Sequence, residues 1–372
     1  MVIKRKIKDY YTNIVINLFS NDSKKQIFTR WCINDSIELG IMLKFVAQNR
    51  NVTYTVQFED IPSLKASHKW VGAQCINDQI ICIPSDETRI LINDGKWRVR
   101  ENLKDGLFKW TGGCVWENSI YCFPRTSNSF LKINNDNVEE IPLEYTYNVE
   151  HHYSGVCTED GIVYQPPRNT SHILKTDLKT GQSTKISIIN DKYHVKLSYC
   201  GSIMHPNGYI YFFPVQNNKV IKLDPTTDRW DYIGHRITTL CFDAKVGLDG
   251  NIYGFNNNEG ITKIDVFNDT VSIIHQEINS GSYGTKYGVD GCLYNIPGDG
   301  THIYKFDVLN DEIYEIFDLN SDIKAKYAGG VVKRDGTILG VPANEHKMMS
   351  YKPSKRVLIP EDIYNLFYVD NY

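Results

Sequence analysis

Six of the ten histidines, His68, His151, His152, His172, His302 and His346, fall in polar loops close to arginines and aromatic residues. Imidazole exchanges protons near neutral pH and ligates metals, so these positions are where acid–base or metal chemistry would first be sought. A metal centre needs three or four such ligands within about 2 Å of one ion, and the chain has no HExxH or comparable ligand spacing. It also has no GxSxG elbow, Walker motif or glycine-rich phosphate loop, so each standard enzyme class lacks its signature. The carboxylates Glu139, Glu140 and Asp299 read as solvated loop charge. No cofactor and no metal is expected, and binding has more support than catalysis.

The elements that would position these residues repeat. Seven short apolar runs end at equivalent points: Ile80 to Pro84, Ile120 to Pro124, Ile162 to Pro166, Ile210 to Pro214, Ile252 to Asn256, Leu293 to Pro297 and Ile338 to Pro342. They lie about 40–48 residues apart, the period of a propeller blade. Asp-Gly or Asn-Gly pairs precede five of them (Asp160-Gly161, Asn207-Gly208, Asp249-Gly250, Asp290-Gly291, Asp335-Gly336), which predicts type I′ hairpin turns between antiparallel neighbours. Before each turn a strand opens on an aromatic, Trp70, Trp110, Tyr153, Tyr199, Phe242, Tyr283 or Tyr327, usually followed by small residues. Small side chains suit the innermost strands, which converge on the axis. A third strand carries a recurrent lysine, and Asp-containing turns lead to a fourth. The expected fold is all-β, a seven-bladed β-propeller with four-stranded antiparallel blades, eight units being the alternative.

Residues 67–358 would form the propeller, 1–66 an N-terminal extension and 359–372 a tail. Within the extension, Ile3, Ile7, Tyr10, Ile14 and Leu18 follow helical spacing. Residues 31–58 echo the repeat strands, either as a degenerate eighth unit or as outer strands that close the ring and hide its edges.

The stretch Ile210 to Gly234 (IYFFPVQNNKVIKLDPTTDRWDYIG) resembles a kelch repeat in its apolar strand, Asp-Pro turn and following Trp230. It departs from that pattern at Pro214-Val215, where kelch repeats carry a double glycine. The DG-x-IY pattern is also similar to that of the virginiamycin B lyase-like propellers. Either resemblance implies a fold and no specific activity. A lyase-like activity would imply a histidine-rich centre with a divalent ion and a general base, for which His151-His152, or His302 with Glu345, could be put forward.

In such a ring the loops from second to third strand, and from one blade's outer strand to the next blade's inner strand, emerge on one face. The first set supplies Arg125, Arg168, His172, His302 and His346; the second supplies His68, His151 and His152, next to the aromatics Trp70, Trp110, Tyr153, Tyr199, Tyr283 and Tyr327. These residues read either as a concave site with a stacking floor and polar rim, or as turn formers beside aromatics that merely pack blade against blade.

With 372 residues, 41% hydrophobic, the chain can bury a substantial core. Its formal charge of −3 provides no global field for nucleic acid or an anionic bilayer, and neither is an expected partner. The basic residues Lys4 to Lys8 imitate the start of a signal peptide, but polar residues interrupt the apolar stretch after them, so secretion is not expected. The leading functional expectation is a cytoplasmic, non-catalytic scaffold for a protein or peptide. The alternative is a propeller that binds or processes a small polar molecule or carbohydrate. The nine cysteines form no CxxC pair, and several lie in apolar strands as small hydrophobes. Thiol titration under denaturing, non-reducing conditions should therefore find all nine free; two or more native disulfides would overturn both the redox and the compartment expectations.

Overall fold

The computed structural model describes residues 52–62, 67–76, 79–100, 103–134, 137–146, 150–188, 199–205, 207–215, 218–247, 249–333 and 335–354. The expected helix near the start, the echo at 31–46 and the tail 359–372 lie outside the described residues. The described strands form seven antiparallel sheets of four. Blade one runs outward through Trp70–Ile76, Gln79–Pro84, Ile90–Asn93 and Trp97–Arg100, and blades two to six repeat that order along the chain.

Blade seven is different. Its inner three strands are Tyr327–Val332, Ile338–Pro342 and Lys347–Pro353, but its outer strand is Tyr54–Asp60, in register from Tyr54 opposite Pro353 to Asp60 opposite Lys347. Tyr54–Asp60, within the segment read as an N-terminal extension that could supply ring-closing strands, is thus the outer strand of blade seven. Of the two readings of residues 31–58, the ring-closing strand is the one the fold uses at its C-terminal end. Tyr54 also ties blade seven to blade six: its ring lies 4.8 Å from that of Tyr294, and its hydroxyl accepts a hydrogen bond from the Val289 amide at 2.7 Å.

The hairpins differ from the type I′ expectation at all five Asp-Gly or Asn-Gly sites. Only the glycine takes positive φ there (84° at Gly161, 91° at Gly208, 89° at Gly250, 75° at Gly291, 80° at Gly336). Its amide bonds back three residues, as from Gly250 to the Gly247 carbonyl, and Gly247 bonds forward to Asn251. This is a three-residue loop, a type I turn followed by a left-handed glycine. The preceding aspartate stays in ordinary backbone space and uses its carboxylate instead: Asp249 accepts from the Tyr253 hydroxyl at 2.7 Å, and Asp290 from that of Tyr294 at 2.9 Å. The two-residue turn with both φ positive occurs in blade two, at Glu117 and Asn118, where no glycine marks it.

From blades three and four the recurrent third-strand lysine reaches the next blade, whereas Lys132 and Lys305 pair with Glu139 and Asp290 of their own blades. Lys175 reaches Asp228 and Lys222 reaches Asp269, each within 2.9 Å of both carboxylate oxygens on the next blade's outer turn. All eight described cysteines are free and buried; Cys32 lies outside the described residues.

Deleting residues 1–60 removes the outer strand of blade seven and uncovers the edge of Lys347–Pro353, whose Met348, Met349 and Tyr351 are buried. The truncated chain is expected to aggregate. A truncated monomer with an unchanged melting temperature would show that the ring does not need this strand.

Candidate functional site

The aromatic that opens each inner strand divides into two structural roles one residue apart. The residue opposite the terminal proline or its equivalent is Trp70, Trp110, His152, Tyr199, Cys241, Ser282 and Tyr327 in blades one to seven. All seven are buried. Trp70 donates its indole N–H to the Arg89 carbonyl at 3.0 Å, Trp110 does so to Ser129 at 2.8 Å, and Tyr199 donates its hydroxyl to Lys219 at 2.9 Å. Each bond fixes the inner strand to the start of the third strand of the same blade. Trp70, Trp110, Tyr199 and Tyr327 thus lie between sheets, at 2% exposure or less, and offer no stacking floor. The packing role, not the ligand role, is the one their surroundings support.

Tyr153, Phe242 and Tyr283 occupy the next position, equivalent to Val71, Thr111, Cys200 and Ala328. The sequence aligns them with the tryptophans, but the strand register does not. In blade three it is Pro167, not Pro166, that stands opposite the anchor, and Tyr164 faces Lys175 as Tyr121 faces Lys132. From this position the three rings meet over the axis, 5.8 Å between Tyr153 and Phe242 and 4.8 Å between Phe242 and Tyr283. They come from blades three, five and six, so rings from non-adjacent blades touch across the centre of the ring.

Arg125 and Arg168 surround this stack. Both follow the terminal proline of their blades, and both reach Glu150 on the connection between those blades: Nε of Arg125 donates to Oε1 at 2.8 Å, and Nε of Arg168 lies 3.0 Å from the same oxygen. Their guanidinium carbons stand 4.7 and 5.2 Å from the Tyr153 ring centre, and Arg125 lies 4.3 Å from that of Phe108. His68 packs edge-on against Phe108 at 4.9 Å. Glu150 and Phe108 are not among the residues that sequence singles out; the usable signal is a carboxylate directly before His151 and an aromatic directly before Lys109.

Three of the candidate histidines come together. The rings of His151 and His152 are 5.2 Å apart, and those of His152 and His172 are 5.5 Å apart. Nε2 of His151 meets the Ser127 carbonyl and Nδ1 of His152 the Pro166 carbonyl, both at 3.0 Å, so those nitrogens carry the proton. Burial pushes His151 and His172 down to about 4 and His152 well below the usual imidazole range. The trio is neutral at physiological pH. His302 instead lies toward the outer strand of blade six, with Nε2 3.3 Å from Glu315 and 3.8 Å from Asp318, while Glu345 accepts from Ser321. The suggested pairing of His302 with Glu345 is therefore replaced by these partners. His346 is exposed.

Below the aromatic stack, inner-strand charges form a group that sequence alone does not pick out. Asp243 accepts from Lys286 at 2.6 Å and from Lys245 at 3.1 Å. Burial alone would raise its pKa, but the two ammonium groups hold it down to about 2. Charged residues in inner strands, where other blades carry Gly, Cys or Val, are the available signal.

This architecture is shared with solved structures. A streptogramin B lyase structure matches with a TM-score of 0.67 at 13% identity over 81% of this chain and 98% of that chain. Virginiamycin B lyase from Staphylococcus aureus matches with 0.67 at 12% identity over 80% and 99%. The likeness is one of fold. The extracellular domain of a one-component system from B. thetaiotaomicron also matches, with 0.61 at 10% identity, over 79% of this chain and 39% of that one. No family model matches the chain and no curated protein matches it. The likeness to kelch thus remains one of repeat pattern. No helix among the described residues is long and apolar enough to cross a membrane.

The depressed histidines have a consequence for stability. His205, also buried and lowered to about 4, joins His151 and His172. In each, the unfolded chain binds a proton at a pH where the folded chain does not, so stability is complete above the ordinary value of 6.5 and is lost as pH falls toward 4. A melting-temperature series across that interval should show a steep decline on acidification. A curve that stays flat until the carboxylates titrate would contradict the buried, neutral assignment.

Proposed function

We propose that the protein is a non-catalytic propeller that presents its loop-rich face to a protein or peptide partner. The observation that carries this reading is the aromatic contact across the ring. With Tyr153, Phe242 and Tyr283 in ring contact there, that face offers a surface more than a cleft, and a surface suits a macromolecule better than a small molecule. Two apolar tips stand on it: Leu107, 66% exposed, on the connection from blade one to blade two, and Ile323, 43% exposed, on that from blade six to blade seven. They lie on either side of blades seven and one and are linked through a chain of contacts. Asn344 donates to the Lys324 carbonyl and accepts from the His68 amide, and His68 packs on Phe108.

The histidines support binding over acid–base catalysis, because His151 and His152 direct their N–H groups at backbone carbonyls and are buried in neutral form. The second reading is a small polar ligand or a lyase-like reaction at a histidine centre; it draws on the convergence of His151, His152 and His172 and on the lyase folds that this one resembles. A cytoplasmic setting belongs to the proposal and is supported by the eight free, buried cysteines.

Photo-crosslinking tests the face. A crosslinking residue placed at 107 or at 323 should capture the same partner, whereas one placed at Phe267, on an outer turn of the opposite face, should not. Changing Leu107→Asp and Ile323→Asp together should weaken that partner's binding by about tenfold or more without lowering the melting temperature. Capture through position 267 with loss of capture at 107 and 323 would transfer the interface to the other face.

A further inference from the structure

We propose that Arg125 and Arg168 form a preorganised carboxylate receptor, and that the partner engages the loop-rich face by placing a carboxylate across them. The inference rests on the reading of that face as a protein or peptide interface and specifies the chemistry it selects.

Two positively charged guanidinium groups share one negatively charged carboxylate. Each approaches the same Glu150 oxygen from Nε, Arg125 in a hydrogen bond at 2.8 Å and Arg168 in an ion pair at 3.0 Å. Guanidinium carries five donors in a planar fork, so this arrangement commits the Nε edge and leaves the Nη groups of both arginines for another acceptor. Among the described residues none accepts a hydrogen bond from those Nη groups. The side chains are 13% and 21% exposed, and none of their nitrogens is among the fully buried polar atoms without a hydrogen-bond partner.

The pair is held in place before any ligand arrives. Tyr153 stacks beneath both, Phe108 supports Arg125 from its other neighbour, and Glu150 ties the two together. Such fixation lowers the ordering cost of binding and favours a planar, bidentate acceptor over a point charge. Asp299, the acid beside Tyr283, is engaged: Oδ1 accepts from the Ala325 amide at 2.8 Å, and Oδ2 from Asn257 at 3.2 Å and the Tyr283 hydroxyl at 3.3 Å. The surplus positive charge is thus left to an incoming anion. The site is also particular to two blades: after the terminal proline or its equivalent the others carry Ser85, Val215, Asn257, Gly298 and Ala343, none of them cationic.

The test uses the full chain labelled with nitrogen-15 arginine, with the Nε–H signals of Arg125 and Arg168 identified by their loss in Arg125→Lys and Arg168→Lys. Three acetylated alanine-based pentapeptides are titrated: one with a central glutamate and an amidated end, one with a free carboxyl terminus and no acidic side chain, and one with a central glutamine and an amidated end. A saturable shift of both signals with a carboxylate peptide but not with the glutamine peptide is expected, and binding should weaken about tenfold or more in either lysine variant, which keeps the charge but loses the fork. Whichever carboxylate peptide binds more tightly separates a side-chain source from a chain terminus. Equal shifts with the glutamine peptide, or no shift with either carboxylate, would overturn the proposal, and this comparison in the unmodified chain stands even if a variant fails to fold. If the signals stay still while crosslinking at 107 and 323 succeeds, the receptor fails and the partner reading survives; if they move while crosslinking goes to 267, the reverse holds.

Discussion

Space at the axis is the constraint on which the rest of this structure depends. Inner strands of seven sheets converge there, and on one side of the ring they approach backbone to backbone. Gly72, Gly112 and Gly329 all have positive φ, and a Cβ on Gly329 would lie 2.9 Å from the Cα of Gly72. A side chain of any size is excluded at that contact. On the other side the strands leave room, and Tyr153, Phe242 and Tyr283 fill it. The ring is therefore asymmetric at its centre, with glycine contacts joining blades seven, one and two and aromatic rings reaching inward from blades three, five and six. Ser154, at 61° in φ, takes the glycine position in blade three and marks the change from one regime to the other.

This asymmetry places the candidate site. Tyr153 projects where its counterparts in neighbouring blades are small, and it becomes the surface on which two arginines can stack. The arginines occupy corresponding positions after Pro124 and Pro167, so regular sheets set the distance between them, and the connection carrying Glu150 joins the two blades concerned. Positioning by strands with selectivity from loops is the usual division of labour in such rings. The sealed tryptophans contribute indirectly, by fixing each inner strand to its own third strand.

The blade count and strand order were legible in the sequence because turn residues, apolar runs and terminal prolines recur together. What the sequence hid was a matter of single residues. A period of two along a strand means that one position of offset sends a side chain to a different environment. Tyr153, Phe242 and Tyr283 look like Trp70 and Trp110 in alignment, yet sit one place further along. The anchors they displace are His152, Cys241 and Ser282, which have no aromatic character in common, so no side-chain pattern announces the shift. Turn geometry was hidden for a similar reason: Asp-Gly suits both a two-residue and a three-residue loop, and the choice depends on strand register. The charged group at Asp243, Lys245 and Lys286 was visible as an exception to small inner-strand residues, but its mutual pairing across blades was not.

The strand Tyr54–Asp60 is made early by the ribosome, yet its partner is made late. Its partner, Lys347–Pro353, lies at the far end of the described chain, so the two can pair only after the intervening blades have been synthesised. Contacts so distant in sequence make for slow folding, because the entropy of a long loop is lost before any pairing compensates for it. Until then the early strand is an unpaired segment carrying Tyr54, Val56 and Phe58, and six consecutive blades can assemble in order while the seventh remains three-stranded. Ring closure is thus a single intramolecular pairing, and any chain interrupted before Lys347 leaves Tyr54–Asp60 without its partner strand.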